Sequence, residues 1–255
     1  MNNIKIKKMN FQKNSLIISF FIFIASCGPQ LPDAYHMEKK FWNTEDYITA
    51  IRHIKYNLNE EEGYPRLSNP LTAPVFKKLV DKQNVSIVLK DEELGVKYRN
   101  EVSKKFFDIS QDLLKVYQDM DIQDKFIYPV ELVQIIDFGL HTQIQYFRLG
   151  NEEIKKNAIN PSGTATLKVI KENEQTIVNN FNIYIEFLAK EEAFSEEARK
   201  EYAEVINVQF NKLMDEFPAA NYSKMKNNAN LLLKNMNSPE LKTALEKLVL
   251  KIEQM

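Results

Sequence analysis

The side chains that most often do chemistry in proteins are sparse and scattered in this chain. The three histidines are His36, His53 and His141, and none lies three or four residues from another. No helical turn therefore offers a histidine pair to a metal ion. Cys27 is the only cysteine, which excludes an internal disulfide. The sequence also has no G-x-S-x-G turn and no glycine-rich phosphate loop. We therefore predict no catalytic residues, no metal site and no cofactor.

The acidic residues do not form a recognisable metal-binding or catalytic motif either. Asp119 and Asp121 begin like a calcium-binding loop, but Asp124 stands where that loop needs a glycine. The adjacent pair Glu191-Glu192 is typical of a solvated helix face. Catalytic carboxylates converge in space rather than along the sequence, so a hydrolase stays open as an alternative to a non-enzymatic protein.

The N-terminus has the layout of an export signal. The first fourteen residues hold four lysines and no acid, and residues 16–25 are apolar apart from Ser19. An apolar run of about ten residues is too short to span a bilayer, which takes roughly 20. The following residues, Ile24-Ala25-Ser26-Cys27, resemble the bacterial lipobox. That resemblance implies that residues 1–26 are a cleaved signal peptide and that Cys27 is the lipidated first residue of the mature protein.

The charge of the mature chain argues against two classes of partner. The whole chain has 34 basic and 35 acidic side chains, and the signal removes four lysines, so 30 against 35 leaves a formal charge of −5. No basic run of the kind that neutralises phosphates is present, and we predict no nucleic-acid partner. Because anionic headgroups would repel this body, we expect it to contact the membrane through the lipid on Cys27.

Hydrophobic spacing divides the mature chain into segments. Residues 27–33 read as the lipidated cysteine and a short tether. Residues 34–59 read as an N-terminal helical hairpin with helices at 34–42 and 46–58. Residues 60–73, with Gly63, Pro65 and Pro70, read as a linker. Residues 74–255 form a helical C-terminal domain, in which we predict a long helix over 91–121 and another over 129–149 that ends at Gly150.

One stretch of the C-terminal domain fits two structures. Over residues 164–188, Ile177, Phe181 and Tyr184 follow a helical stripe, whereas Phe181, Ile183 and Ile185 alternate as in a strand. We favour a helix, and a small β element would make the fold α+β. The predicted fold class is therefore mainly α, a helical bundle with an N-terminal helical hairpin.

The segment around residue 50 carries the candidate binding residues. Asp46-Tyr47-x-x-Ala50-Ile51, with Leu58 and Pro65 further on, resembles the second helix of a tetratricopeptide repeat. Hairpins of that family bind peptides, although no second copy occurs at the 34-residue period. We expect Tyr47, Ala50, Ile51 and Ile54 to face inward. The predicted protein-binding face consists of the four residues that should then be exposed, Arg52, His53, Lys55 and Tyr56.

The general character of the chain suggests a class of function. The lipobox, the short tether, a composition rich in Lys, Asn and Ile, and a helical body resemble the spirochaetal, especially borrelial, lipoproteins. The resemblance implies a non-enzymatic envelope protein at the periplasmic face or the cell surface. Its partner would be another envelope protein, with a host protein as the alternative for a surface adhesin. The further alternative is an envelope hydrolase or small-ligand carrier with a cavity between helices.

Overall fold

Helices account for nearly all the regular structure that the described residues form. The computed structural model describes residues 31–57, 63–90, 92–121 and 123–255. Within these residues there is no β-strand, only an isolated bridge between Met120 and Phe126, so the mainly α prediction is confirmed. The α-helices in chain order are α1 Thr44–Tyr56, α2 Ala73–Leu79, α3 Lys82–Leu89, α4 Gly95–Tyr117, α5 Pro129–Asn157, α6 Thr164–Phe187, α7 Glu196–Val205, α8 Asn211–Glu216, α9 Ser223–Leu233 and α10 Pro239–Glu253. Short 3-10 segments cover Asp33–Tyr35, Glu92–Leu94 and Leu188–Ala193, and a π-helical segment, Ile206–Phe210, joins α7 to α8.

Helix α5 is the centre of the fold, because its first half is apolar on nearly all sides. It contacts α3, α4, α6, α7 and α8, and its most extensive contact is with α4. The two helices are antiparallel: Gly139 of α5 faces Ser110 of α4, and the ring of Tyr146, later on α5, stacks on the ring of Phe107, earlier on α4. Thr142 donates a hydrogen bond to Ser110 at 3.3 Å, so small residues let the two backbones approach closely.

The ambiguous stretch is helical. Residues 164–187 form the single helix α6, and Ile177, Phe181 and Ile185 are buried at a spacing of four residues. A strand would place these three side chains with Ile183 on one face, yet Ile183 is exposed. The packing of one stripe against α5 therefore decides between the two patterns in the sequence.

Helix α5 runs past the end predicted for it. It continues through Gly150 to Asn157. Contacts with neighbouring helices hold the extra turns: Asn100 donates to Glu153 at 2.7 Å, Arg99 pairs with Glu152 at 3.2 Å, and Asn173 donates to Asn151 at 3.3 Å. These contacts outweigh the cost of about 1 kcal/mol for a glycine inside a helix.

The predicted N-terminal hairpin is wrong in its first helix. Residues 34–42 contain only the end of the 3-10 segment Asp33–Tyr35, and His36 has a left-handed backbone with φ of 43°. The amide of Asn84 binds this segment from α3, accepting from the Trp42 N–H at 2.8 Å and donating to the Trp42 carbonyl at 2.7 Å. Since side chains satisfy the backbone here, a helix is unnecessary, and α1 packs on α4 instead of a hairpin partner.

The predicted linker is not a boundary between two domains. Residues Ala34–Met255 form one compact unit. The described part of the linker is tied to the bundle, because Tyr117 donates to the Pro65 carbonyl at 2.7 Å and the Leu67 N–H donates to Glu131 at 2.7 Å. The Tyr64 ring packs against Tyr117 as well. Proline and glycine here mark an irregular but docked segment.

Serine side chains cap the starts of α7 and α10. Ser195 accepts a hydrogen bond from the Ala198 N–H at 3.2 Å and begins α7, and Ser238 accepts from the Leu241 N–H at 3.4 Å and begins α10. Helix α10 then packs on α7 and α9.

Candidate functional site

The position of α1 follows from its N-terminal cap and its apolar face. The Asn43 side chain accepts from the N–H groups of Glu45 and Asp46, and Asp46 accepts from the Asn43 N–H at 3.0 Å, which makes a reciprocal capping box. Burial acts to raise the pKa of Asp46, but hydrogen bonds from Lys39 and the Asn43 backbone outweigh it and lower that pKa. The start of α1 is therefore held by hydrogen bonds in both directions between Asn43 and Asp46.

The inward face of α1 is as the sequence predicts. Tyr47, Ala50, Ile51 and Ile54 are all buried. The Tyr47 ring meets Trp42 and Phe106 edge-on, with centroids 5.2 and 5.6 Å apart, and its hydroxyl donates to the Lys78 carbonyl at 3.2 Å. This face holds α1 against α4 and leaves the opposite face outside.

Three of the four candidate binding residues lie on that opposite face. Arg52, Lys55 and Tyr56 are exposed, and Tyr56 is 78% exposed. Residues 52 and 56 are one turn apart, so their side chains are neighbours on the helix surface. Lys55 contacts Asp112 of α4 at 3.4 Å. The structure thus groups an aromatic side chain with two cations at the C-terminal end of α1.

His53 differs from its prediction as an exposed residue. It is partly buried, and its ring meets the Tyr35 ring edge-on with centroids 5.2 Å apart. The 3-10 segment before α1 covers this side chain, which the sequence pattern of α1 alone did not indicate. The candidate surface therefore consists of Arg52, Lys55 and Tyr56, and we call it the α1 outer face.

A second polar cluster surrounds His141, which is 7% exposed in the middle of α5. Its Nε2 lies 3.5 Å from the Ser86 hydroxyl of α3, and its Nδ1 lies 3.5 Å from the Lys212 ammonium of α8. Burial, and then the positive charges of Lys212 and Lys82, lower the pKa of His141 to about 4. The imidazole is therefore neutral at physiological pH.

The hydrogen bonds around His141 do not activate Ser86. The Ser86 hydroxyl donates to the Lys82 carbonyl at 3.0 Å, so it accepts from His141 Nε2–H. The other imidazole nitrogen, Nδ1, then accepts from Lys212. A general base needs a free acceptor nitrogen at the nucleophile, which is the reverse of this arrangement. The cluster is a buried polar link between α3, α5 and α8.

A groove of about 480 Å³ lies between α5 and α7 beside this cluster. Three acids line it, Asp137, Glu201 and Glu204. Asp137 pairs with Lys82 and accepts from Gln209 of the π-helical segment at 2.6 Å. Glu201 accepts from Gln134 at 3.0 Å, and burial, followed by nearby carboxylates, raises its pKa. Sequence reasoning did not single out these residues, because they come from α3, α5 and α7.

Glu191 is not the solvated charge on a helix face that the sequence predicted. It is 7% exposed, and its carboxylate accepts from the backbone N–H groups of Asn237 at 2.6 Å and Ser238 at 3.1 Å. The side chain thereby fastens the turn before α10 to the 3-10 segment Leu188–Ala193. Its role is structural.

The described part of the chain contains neither a metal-binding cluster nor a membrane-spanning helix. No group of three or more His, Cys, Asp or Glu side chains there could hold a metal ion. No helix within the same residues is long and apolar enough to cross a membrane. Cys27 and the signal segment lie outside the described residues, so their predicted lipidation stays a prediction. Comparison with protein-family models, with curated proteins and with solved structures found no match for this chain.

Proposed function

We propose that this chain is a lipid-anchored, non-enzymatic envelope protein whose folded body binds another envelope protein through the α1 outer face. The lipobox residues Ile24-Ala25-Ser26-Cys27 support the anchor, with Cys27 carrying the lipid. The chain then mediates protein contact at the membrane surface, as a scaffold or adaptor.

The observation that carries the binding surface is the exposure of Tyr56. Of the aromatic side chains that the structure describes, Phe41, Tyr98 and Tyr56 are exposed by 40%, 52% and 78%. Tyrosine and arginine dominate the binding energy of many interfaces, and Arg52 is the neighbour of Tyr56 on the helix. A fully docked inner face makes α1 a rigid support, which lowers the entropic cost of binding.

Site-specific photo-crosslinking in cells that naturally produce the protein tests this proposal. A photoreactive amino acid at position 56 should give a discrete adduct that disappears in an Arg52→Ala background. The matched control is the same amino acid at Tyr98, an exposed tyrosine on α4, where we expect no adduct. Equal adducts at both positions, or none at position 56, would place the binding surface elsewhere.

The location of the partner is settled by a second measurement. Protease added to intact cells should leave the folded body uncut if it faces the periplasm with an envelope partner. Cleavage of the body would favour the alternative, a surface protein that binds a host protein.

A further inference from the structure

A second groove, of about 360 Å³, lies between α4 and α6 with α5 as its floor. Its volume is within the range of about 300 to 1,000 Å³ that is common for ligand pockets. The apolar part of its lining consists of Phe107, Leu114, Ile136, Ile183 and Phe187. The polar part consists of Gln111, Lys115, Gln118, Gln143, Asn180 and Tyr184. None of these residues belongs to the α1 outer face.

A glutamine on the floor of this groove forms no side-chain hydrogen bond within the described residues. Gln143 of α5 is 3% exposed and lines the groove, and its side chain makes no hydrogen bond to any residue that the structure describes. An amide group has donors and an acceptor, so Gln143 can hydrogen-bond a molecule in the groove.

The groove lining contains a positive charge and no negative charge. Lys115 is the cation of the groove, and its ammonium forms no ion pair within the described part of the chain. No carboxylate lines the groove. A carboxylate on the ligand would therefore be matched, whereas an ammonium group would lose its hydration without compensation.

The spacing of the two polar groups sets the size of the ligand. Ser110 of α4 lies level with Gly139 of antiparallel α5, so Lys115 and Gln143 lie in opposite directions from that level. Their separation along the helix axes is about 13 Å at 1.5 Å per residue. An extended peptide covers that distance with about four residues at roughly 3.3 Å each.

We propose that this groove binds the C-terminal end of a polypeptide, with its terminal carboxylate at Lys115 and a peptide amide at Gln143. An apolar side chain near the C-terminus lies against Leu114, Ile136 and Phe187 at the Lys115 end of the groove. The amino end of the ligand lies outside the groove or is blocked. This inference goes beyond the proposed function and does not rest on it.

Calorimetric titration of the purified full-length chain in mild detergent tests the inference. The probes are N-acetyl-Ala-Leu-Ala-Phe with a free terminal carboxylate and the same peptide with a terminal amide. We expect saturable binding of the acid and about tenfold weaker binding of the amide, because a charge-assisted hydrogen bond is lost. Lys115→Gln should abolish this preference and leave the affinity for the amide unchanged. Gln143→Leu, which conserves volume, should weaken both peptides about fivefold.

Lys105→Gln is the matched control. Lys105 is an exposed lysine on the same helix outside the groove, so both peptides should bind this variant as they bind the original chain. The inference is overturned if the acid does not saturate the protein up to about 3 mM. It is equally overturned if acid and amide bind with the same affinity, or if Lys105→Gln acts like Lys115→Gln.

Discussion

The Tyr117 hydroxyl donates a hydrogen bond to the Pro65 carbonyl at 2.7 Å, across 52 positions of the sequence. Tyr117 is fully buried at the end of α4, and its ring also meets those of Tyr64 and Tyr128. Burial is the main reason that the pKa of this phenol lies well above its usual range, so the hydroxyl keeps its proton as the donor. This bond makes the proline-containing segment part of the bundle.

Tyr117→Phe should lower the free energy of unfolding by about 1.5 kcal/mol, because a buried carbonyl loses its donor and nothing else is removed. Urea unfolding followed by circular dichroism measures the change. Tyr56→Phe is the control, and it should leave stability within about 0.5 kcal/mol because Tyr56 is exposed. Equal stability of the two variants would mean that the segment is not held by this bond.

His141 should make stability depend on pH. Burial lowers its pKa from 6.5 to about 4 in the folded chain, so between these values the unfolded chain binds more protons. Stability should therefore fall as the pH decreases from 6.5 to about 4, by roughly 1.4 kcal/mol per unit and about 3 kcal/mol in total. The measurement is the free energy of unfolding between about pH 4.5 and pH 7.

The variant His141→Gln isolates this contribution, because other groups titrate equally in both proteins. The difference in unfolding free energy between the original chain and His141→Gln should change over this pH window. A constant difference for His141→Gln would show that His141 is protonated in the folded state.

Truncation of a side chain on the inward face of α1 should lower the stability of the protein, whereas truncation on the outer face should not. Ile54→Ala should cost about 3 kcal/mol of stability, because Ile54 is 2% exposed and its loss leaves a cavity. The double variant Arg52→Ala/Tyr56→Ala should remain within about 0.5 kcal/mol of the original stability. Thermal unfolding of both proteins measures this. A large loss in the double variant would mean that the α1 outer face stabilises the fold.

Cys27→Ala should remove the protein from the membrane fraction or leave an uncleaved precursor. The sulfur is the acceptor that the lipobox implies, and no other thiol exists in the chain. Metabolic labelling with palmitate, followed by membrane fractionation, gives the result. Ser26→Ala retains a small residue before the cysteine and should be labelled normally. Unchanged labelling of Cys27→Ala would contradict the predicted anchor.

Local patterns were sufficient for most helices. The stripe of Ile177 and Phe181 predicted α6, because such a stripe depends on residues within a few turns. Gly150 misled the prediction for α5, since the contacts that extend this helix come from α4 and α6. The prediction of a helix over residues 34–42 is wrong for a similar reason, because Asn84 of α3 binds the backbone of this segment.

The candidate surfaces also include some features that the sequence predicted and others that required the tertiary structure. The exposure of Arg52 and Tyr56 followed from the period of α1, whereas the burial of His53 needed the position of Tyr35. The groove that contains Lys115 and Gln143 could not be predicted, because α4, α5 and α6 supply its walls. Its one sequence signal was Gln143 itself, a polar residue within the apolar part of α5.

The sequence alone determined the helical class, the inward face of α1 and the caps of the last helices. These features depend on period, on neighbouring residues and on side chains that reach one turn of backbone. Only the tertiary structure decided that Ala34–Met255 is one unit and that Lys115 and Gln143 share a groove. Such relationships join residues far apart in the chain, and their free energy comes from burial and hydrogen bonds that exist only after the helices have packed.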